Sequence, residues 1–324
     1  MLESARCASA VPAFRADSPE AKEMILTDLN RPIELGVKTL LRVAYVNGRY
    51  VRGNQAMIHI EDRGYQFSDG VYEVCEVRGG RIIEEQRHLA RLVRSLDELR
   101  IAMPMPVSAL AVVMRECLLR NRVRDGIIYL QVTRGVARRD HAFPPSGTKP
   151  SLVVSARSLD FTANERAAAE GIAVITVPDN RWERVDIKSV SLLPNVLAKQ
   201  AAREQGAKEA WFVDRHGRIT EGASSNAWIV SKDGKVITRP ADKGILRGIT
   251  RSVLMEVIAA QGLELEERAF TTEEAYAARE AFLTSASQVV FPVVRIDNHP
   301  IGNGAPGLIA TALRADFHRH ARST

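Results

Sequence analysis

The amino-acid sequence predicts an α/β (α+β) protein built from two domains. The chain has 324 residues, of which 45% are hydrophobic and 26% are charged, a composition typical of a globular protein with a sizeable core. Strand-like runs joined by tight-turn signals alternate with amphipathic helical patterns along most of this length. A polar, alanine-rich stretch at 160–171 interrupts the pattern and is interpreted as a connector. It divides a small domain at 43–160 from a larger domain at 161–324.

The first part of the chain, residues 1–42, shows no sustained hydrophobic period. It is interpreted as an N-terminal extension, either disordered or the product of a mis-assigned start, with Met24 as an alternative first residue. It lacks the apolar core of a secretory signal, and no apolar run in the chain approaches the length of a membrane span.

Charge and cysteine content argue against several classes of protein. The net charge is +6, but basic and acidic residues are interspersed, which favours a solvated basic surface over a nucleic-acid site. Cys7, Cys75 and Cys117 are odd in number and widely spaced, without the spacing of a metal site or a redox pair. We therefore expect a reducing, cytoplasmic location and no bound metal.

The small domain is predicted to open with a β-hairpin, because Asn47-Gly48 joins two β-prone runs. The segment 61–74 is interpreted as a polar loop that leads into a strand, and the glycines at 79–80 mark a second hairpin. Apolar residues at helical spacing then predict two helices, with Cys117 as a core residue. The order after the second hairpin is helix 87–101, helix 107–121, strand 127–133, a basic loop at 134–145 and strand 152–156.

The larger domain is predicted to begin with a strand at 172–177. A helix with Gly206 as its stop follows, and residues 219–226 are interpreted as a small-residue polar turn between strands. Gly248 leads a second helix, and Thr271 with Glu274 forms a capping box for a short one. The predicted elements are helix 194–205, strand 210–214, a hairpin at 227–238, helix 248–261, strand 281–284 and a polar turn at 284–288.

Lys188 is the first candidate for chemistry. It follows Val185 and Ile187 in strand-like alternation and precedes an apolar run, so we expect it to be at least partly buried. A buried ammonium tends to lose its proton, and a neutral amine beside a carbonyl is what Schiff-base chemistry requires. The alternative is a strand-end lysine whose ammonium reaches water.

Other features fit the same chemistry. A glycine-led helix start with Thr250 in its first turn can hold a phosphate, because its N–H groups and the helix dipole favour an anion. Glu221 supplies an acid within one of the two small polar turns. An amine, an acid and a phosphate seat are together the requirements of pyridoxal 5′-phosphate.

From about residue 43 onward, the sequence resembles the fold-type IV pyridoxal-phosphate-dependent aminotransferases. Within that family it is most similar to the D-amino acid (D-alanine) aminotransferase group. The matching stretches, in chain order, are 61–74, His88-Leu89-Ala90-Arg91-Leu92, 128–143, Asp186-Ile187-Lys188-Ser189, Leu197-Ala198-Lys199-Gln200, 220–226 and Gly248-Ile249-Thr250-Arg251.

The resemblance implies roles at the cofactor. Lys188 would bond the cofactor as a Schiff base and then move the proton at the substrate Cα. Glu221 would accept a hydrogen bond from the pyridine nitrogen. Leu246 would pack on the ring, although a core leucine is an equally good interpretation. The phosphate would be bound by Arg91, Ile249, Thr250, Ser285 and Ala286; Ala286 stands where relatives usually carry threonine.

The resemblance also implies the substrate and the assembly. Tyr72 with Arg139 and His141 would hold the substrate α-carboxylate, the last two coming from the partner subunit of a homodimer. Arg138 departs from the proline of some relatives. The expected reaction transfers the amino group of a D-amino acid, with D-alanine as donor, to 2-oxoglutarate. The alternatives are a branched-chain L-aminotransferase, an aminodeoxychorismate lyase, an (R)-amine transaminase and a non-catalytic basic binding protein.

Overall fold

A computed structural model describes residues 42–321. The predicted extension at 1–42 therefore lies, apart from its last residue, outside the described part of the chain. Within that part the predicted α/β fold is confirmed: the strands form two sheets, and helices pack against both.

The first sheet has six strands in the order β2-β1-β6-β5-β3-β4, and every neighbouring pair is antiparallel. The predicted hairpin at Asn47-Gly48 is confirmed, with φ of 45° and 94° as a two-residue turn requires. The strands are β1 (Val43–Val46), β2 (Arg49–Arg52), β3 (Gly70–Arg78), β4 (Arg81–Ile82), β5 (Gly126–Thr133) and β6 (Ser151–Ser158).

Three α-helices accompany this sheet: α1 (Arg63–Phe67), α2 (Glu85–Glu98) and α3 (Val107–Asn121). A 3₁₀ turn covers Gly53–Gln55. The apolar stripes of α2 and α3 bury leucines against the sheet, and Cys117 lies among them as predicted.

The second sheet has ten strands, and nine of them follow the order β12-β11-β10-β14-β15-β7-β8-β9-β13, with β16 beside β15. The pairs β7–β8, β7–β15 and β11–β12 are parallel. The strands are β7 (Ile172–Pro178), β8 (Glu209–Val213), β9 (Arg218–Gly222), β10 (Asn226–Val230), β11 (Val236–Thr238), β12 (Leu265–Glu267), β13 (Phe270–Thr271), β14 (Glu280–Ser285), β15 (Val289–Ile296) and β16 (His299–Pro300).

Both faces of this sheet are covered. Along β10, Ala227 and Ile229 enter one core cluster while Trp228 and Val230 enter another, as the two-residue period of a strand requires. The helices are α4 (Phe161–Glu170), α5 (Leu193–Glu204), α6 (Ile249–Ala260), α7 (Thr272–Tyr276) and α8 (Leu308–His320).

Several sequence-based interpretations need correction. The loop predicted at 61–74 contains α1, and the connector predicted at 160–171 is the helix α4, capped by the Asp160 side chain. The alternation before Lys188 is not a strand, and Glu221 lies in β9 instead of a turn. The domain boundary at residue 160 stays a prediction; it falls between β6 and α4.

The two sheets meet through the segment that carries Lys188. Ser189 forms a single β-bridge with Val71, and the Lys188 carbonyl accepts a 3.0 Å hydrogen bond from the Tyr72 N–H. The Val190 N–H donates to the Gly70 carbonyl at 3.0 Å. The segment therefore lies along the start of β3 and brings residues of the second half of the chain to the first sheet. Between residues 42 and 321, no helix combines the length and apolarity that a membrane crossing demands.

Candidate active site

A cavity of about 660 Å³ lies where the two sheets meet. Its lining includes nine of the eleven residues predicted from the sequence to form the site. These are Tyr72, Arg91, Lys188, Glu221, Leu246, Ile249, Thr250, Ser285 and Ala286. The other two, Arg139 and His141, do not line it.

Lys188 is partly buried at the cavity wall. Its Nζ lies 4.2 Å from the centre of the Tyr72 ring, and Tyr72 in turn stacks on Tyr129 with ring centres 5.8 Å apart. The cation–π contact and the backbone hydrogen bonds to β3 hold the amine at a defined place in the wall. The backbone that carries it is irregular, so the exposure of its amine is set by tertiary contacts.

Glu221 is buried at the end of β9, where it takes part in a network of three other residues. Its Oε1 accepts a 2.5 Å hydrogen bond from Arg181, and its Oε2 accepts from Asn226 Nδ2 at 3.0 Å and the Leu246 N–H at 3.1 Å. Arg181 is also paired with Asp179. Burial raises the pKa of Glu221 to about 7, although Arg181 opposes this shift.

Arg91 on α2 belongs to a buried triad with Glu73 and His88. Its guanidinium binds both Glu73 oxygens at 2.7 and 2.8 Å, and its Nη1 donates to the Arg247 carbonyl at 2.9 Å. Glu73 also contacts His88 Nδ1 at 2.8 Å. Burial alone would raise the pKa of Glu73, but Arg91 and His88 outweigh it and lower that pKa to about 2. Arg91 therefore stands at the cavity with its charge balanced by Glu73.

Two backbone features offer N–H groups to the cavity. Gly248 caps α6 without a side-chain hydrogen bond, and the buried Ile249 and Thr250 form its first turn. The first intrahelical hydrogen bond is donated by Ser252, so among the described residues the N–H groups of Ile249 and Thr250 have no acceptor. On the other feature, the turn between β14 and β15, Ser285 and Ala286 line the cavity.

The loop with Arg139 and His141 packs on α1 instead. Phe67 contacts both side chains, with Arg139 4.6 Å from its ring centre and the His141 ring 5.3 Å away. Arg63 donates hydrogen bonds to the carbonyls of Asp140 at 2.5 Å and His141 at 3.4 Å. The loop is thus ordered by α1 but is remote from the cavity lining of its own chain.

Sequence reasoning missed the partners that set the charge of the site. Arg181 and Asn226 hold Glu221, and Glu73 with His88 holds Arg91. The sequence did carry a signal for Arg181, because it lies seven residues before Lys188 and close to Asp179. The pairing of Glu73 with a residue 18 positions away carried no local signal.

Comparison with known families agrees with this geometry. The family model described as amino-transferase class IV matches residues 70–296, a range that includes both Lys188 and Glu221. The chain belongs to this family, as the sequence resemblance indicated, and it is a pyridoxal-phosphate-dependent aminotransferase.

Relatives that carry the name D-alanine aminotransferase match most of the chain. The protein of Bacillus licheniformis is 42% identical over 261 residues, which cover 81% of this chain and 90% of the relative. The protein of Staphylococcus haemolyticus is 39% identical over 279 residues, which cover 86% of this chain and 98% of the relative.

Solved structures with the same fold include branched-chain amino acid aminotransferases. The T.th. enzyme with pyridoxamine 5′-phosphate has a TM-score of 0.79 and 26% identity, covering 86% of this chain and 93% of its own. The Escherichia coli enzyme has a TM-score of 0.79 and 22% identity, with 86% and 94% coverage. The latter likeness concerns the fold alone.

The residues present fit pyridoxal 5′-phosphate. The cavity brings together a primary amine, a buried carboxylate and a helix start whose first N–H groups have no acceptor among residues 42–321. The aldehyde of pyridoxal 5′-phosphate can react with the amine, and its ring nitrogen can hydrogen-bond to the carboxylate. Its phosphate can bind the N–H groups at the helix start.

Proposed function

We propose that this protein transfers the amino group of a D-amino acid, with D-alanine as donor, to 2-oxoglutarate, giving pyruvate and D-glutamate. The observation that carries the proposal is the cavity that joins Lys188, Glu221 and the α6 start in a chain 42% identical to a D-alanine aminotransferase. Bound pyridoxal phosphate supplies an aldehyde for the amino group and a ring that draws off electrons.

Each cavity residue has a role in this proposal. Lys188 would hold the cofactor through its Nζ and would serve as the base for the proton at the substrate Cα. Glu221 accepts a hydrogen bond from the ring nitrogen, and Arg181 keeps its carboxylate in place. Leu246 lines the cavity and its N–H donates to Glu221, so its side chain would be available to pack beside the ring.

The phosphate is assigned to the other end of the cavity. The N–H groups of Ile249 and Thr250 bind it, and the helix dipole adds to their effect. Arg91 contributes an N–H from a guanidinium already paired with Glu73. Ser285 and Ala286 complete the phosphate-binding site. Ala286 can contribute only its backbone N–H, because alanine has no hydroxyl.

The substrate α-carboxylate is assigned to Tyr72, Arg139 and His141. Tyr72 lines the cavity, whereas Arg139 and His141 do not, so the proposal requires that they come from a second copy of the chain. The loop exposes Val136 and Phe143, and nearby Tyr65 on α1 is 78% exposed. Apolar side chains this exposed are suited to an interface, which supports a homodimer.

A cytoplasmic location is proposed as well. Its support is that Cys75 and Cys117 are both buried and unpaired, as is usual for thiols in a reducing compartment.

A branched-chain L-aminotransferase is the second candidate, favoured by the fold match to the T.th. enzyme. The two functions differ in the hand of the substrate. Purified protein is assayed with 2-oxoglutarate and either D-alanine or L-valine as donor. We expect turnover of D-alanine and loss of the cofactor absorption band on its addition. Turnover of L-valine alone would exclude the D-amino acid proposal.

A further inference from the structure

The turn between β14 and β15 has an unusual backbone. Ser285 pairs with Val289 across three turn residues, Ala286 to Gln288. Val289 has φ of +63°, the left-handed region that suits glycine in such turns and is unfavourable for a β-branched residue. Val289 is nevertheless buried. The turn must therefore be held by contacts around it, because a β-branched residue does not favour this conformation.

Those contacts fix the carbonyls of the turn. Arg314 on α8 donates from Nη1 to the carbonyls of Gln288 at 2.6 Å and Val290 at 2.5 Å, on either side of Val289. Asn164 on α4 donates to the Ser287 carbonyl at 3.1 Å. Neither Arg314 nor Asn164 lines the cavity. Both side chains therefore contact the turn from outside the cavity lining.

The N–H groups of the same turn remain available. Within residues 42–321, the backbone N–H groups of Ala286, Ser287 and Gln288 donate no hydrogen bond, while Ser285 to Ser287 line the cavity. A trans peptide is planar, so the Asn164 contact to the Ser287 carbonyl also fixes the N–H of Gln288 in the same peptide. The Arg314 contacts to the Gln288 and Val290 carbonyls hold the end at which the turn joins β15. The start of the turn is held by the pairing of Ser285 with Val289. The three residues between them are therefore fixed at both ends, and the N–H groups of Ala286 and Ser287 have little freedom.

We propose that Arg314, assisted by Asn164, is a positioning residue that holds the Ser285–Gln288 turn with its N–H groups ready for the cofactor phosphate. The inference rests on the cofactor placement proposed above. Arg314 is well suited to the task, since Glu165 holds its Nε and Nη2 at 3.0 and 2.9 Å and leaves Nη1 for the carbonyls. The position of the turn backbone is important here, because Ala286 has no hydroxyl and can bind the phosphate only through its N–H.

The test compares two ligands of the cofactor-free protein: pyridoxal 5′-phosphate and pyridoxal, which lacks the phosphate. Dissociation constants are measured by absorbance titration for wild type and Arg314→Gln. We expect the constant for pyridoxal 5′-phosphate to rise about tenfold and that for pyridoxal to change less than about twofold, because charged hydrogen bonds that order the turn are lost. Equal weakening of both ligands, or no change in either, would overturn the proposal.

Matched variants sharpen the result. Arg319→Gln removes another arginine of α8, one that pairs with Asp316, and leaves both constants unchanged. Arg314→Lys restores part of the selectivity. If Arg314→Gln fails to fold, Asn164→Ala carries the test, because it removes only the Ser287 contact and must still weaken the phosphate-bearing ligand selectively.

Ile249→Pro separates this inference from the placement on which it depends. It removes one of the N–H groups assigned to the phosphate at the first position of the helix, where proline is tolerated. A selective loss of affinity for pyridoxal 5′-phosphate in Ile249→Pro but not in Arg314→Gln would refute the role of Arg314 alone. Loss in neither variant would refute the phosphate placement. No amino acid is present in these titrations, so the choice of substrate does not affect them.

Discussion

Lys188 shows how a single residue is positioned by contacts that are distant in sequence. The local alternation predicted a strand, yet the structure has an irregular segment bridged to β3. The Tyr72 ring and the β3 backbone place the amine at the cavity wall. The expectation that Lys188 is at least partly buried is confirmed, but the cause is tertiary packing and not a strand period.

Replacing Lys188 with alanine is expected to abolish transamination. In the proposed function this amine holds the cofactor and moves the Cα proton, so turnover of D-alanine should fall by at least about a thousandfold. The cofactor absorption band should also fail to respond to D-alanine. Lys232→Ala, which removes an exposed lysine in the turn after β10, is the control and should match wild type. Retained turnover in Lys188→Ala would assign the chemistry to another group.

Glu221 predicts a pH effect on stability. Burial raises its pKa from 4.5 to about 7, against the effects of Arg181 and Lys188. The folded state thus favours the protonated acid, and this contribution is complete below pH 4.5 and lost as the pH rises to 7. For cofactor-free protein we expect the free energy of unfolding to fall across this window by about 2–3 kcal/mol more in wild type than in Glu221→Gln.

Urea unfolding of both proteins between about pH 4.5 and about pH 7.5 measures this difference. Burial also lowers the pKa of His88, but His88 is present in both proteins, so its contribution cancels in the comparison. Parallel stability curves would mean that Glu221 is charged throughout the window.

At the scale of elements, α1 is the support of the Arg139–His141 loop. Arg63 joins the two through the carbonyls of Asp140 and His141, and its Nε is bonded to Asp69 at 2.8 Å. Asp69 keeps a second partner in Arg134, at 2.7 and 2.9 Å. Loss of Arg63 therefore leaves no unpaired acid behind.

Arg63→Gln is expected to raise KM for D-alanine about tenfold with a smaller change in kcat, because the loop proposed to bind the substrate carboxylate loses its position. Steady-state kinetics with D-alanine and 2-oxoglutarate measure both constants. Arg120→Gln, which removes a surface ion pair with Glu116, should leave both unchanged. A fall in kcat at constant KM would place the effect of Arg63 outside substrate binding.

The sequence predicted elements well where the hydrophobic period was strong. The helix predicted at 107–121 is α3 with the same bounds, and the Thr271–Glu274 capping box is present. Prediction failed where composition concealed the element: α4 is rich in alanine and polar residues, and β9 ends in small residues that suggested a turn. The buried Glu221 carboxylate contacts Arg181 and Leu246, which are 40 and 25 positions away in sequence, and no local pattern reveals such contacts.

For the molecule as a whole, the cavity residues could be found one by one from sequence, but their convergence depends on the meeting of two sheets. Tyr72 and Arg91 belong to the first half of the chain, and Glu221 and Thr250 to the second. The ion pairs of the site also depend on the fold, because Arg91 pairs with Glu73 and Glu221 pairs with Arg181 only once the chain is folded. The placement of Arg139 and His141 outside the cavity then makes the assembly part of the proposed mechanism.

A mixed dimer tests whether the loop acts across subunits. Lys188→Ala and Arg139→Ala are each expected to be nearly inactive as pure dimers. In a dimer with one chain of each kind, the Arg139→Ala chain keeps Lys188 in its own cavity and receives Arg139 from its partner. One of its two sites is then complete. Random pairing of equal amounts makes half of the dimers mixed, so about a quarter of wild-type activity should return.

Co-refolding of the two variants followed by a D-alanine assay measures this recovery, and light scattering establishes the dimer. A mixture of Lys188→Ala with the double variant Lys188→Ala/Arg139→Ala is the control, because it forms dimers without any complete site. If each loop served the cavity of its own chain, no pairing could unite Lys188 with Arg139. The mixture would then stay as inactive as its components, and the role of Arg139 would have to be sought within one subunit.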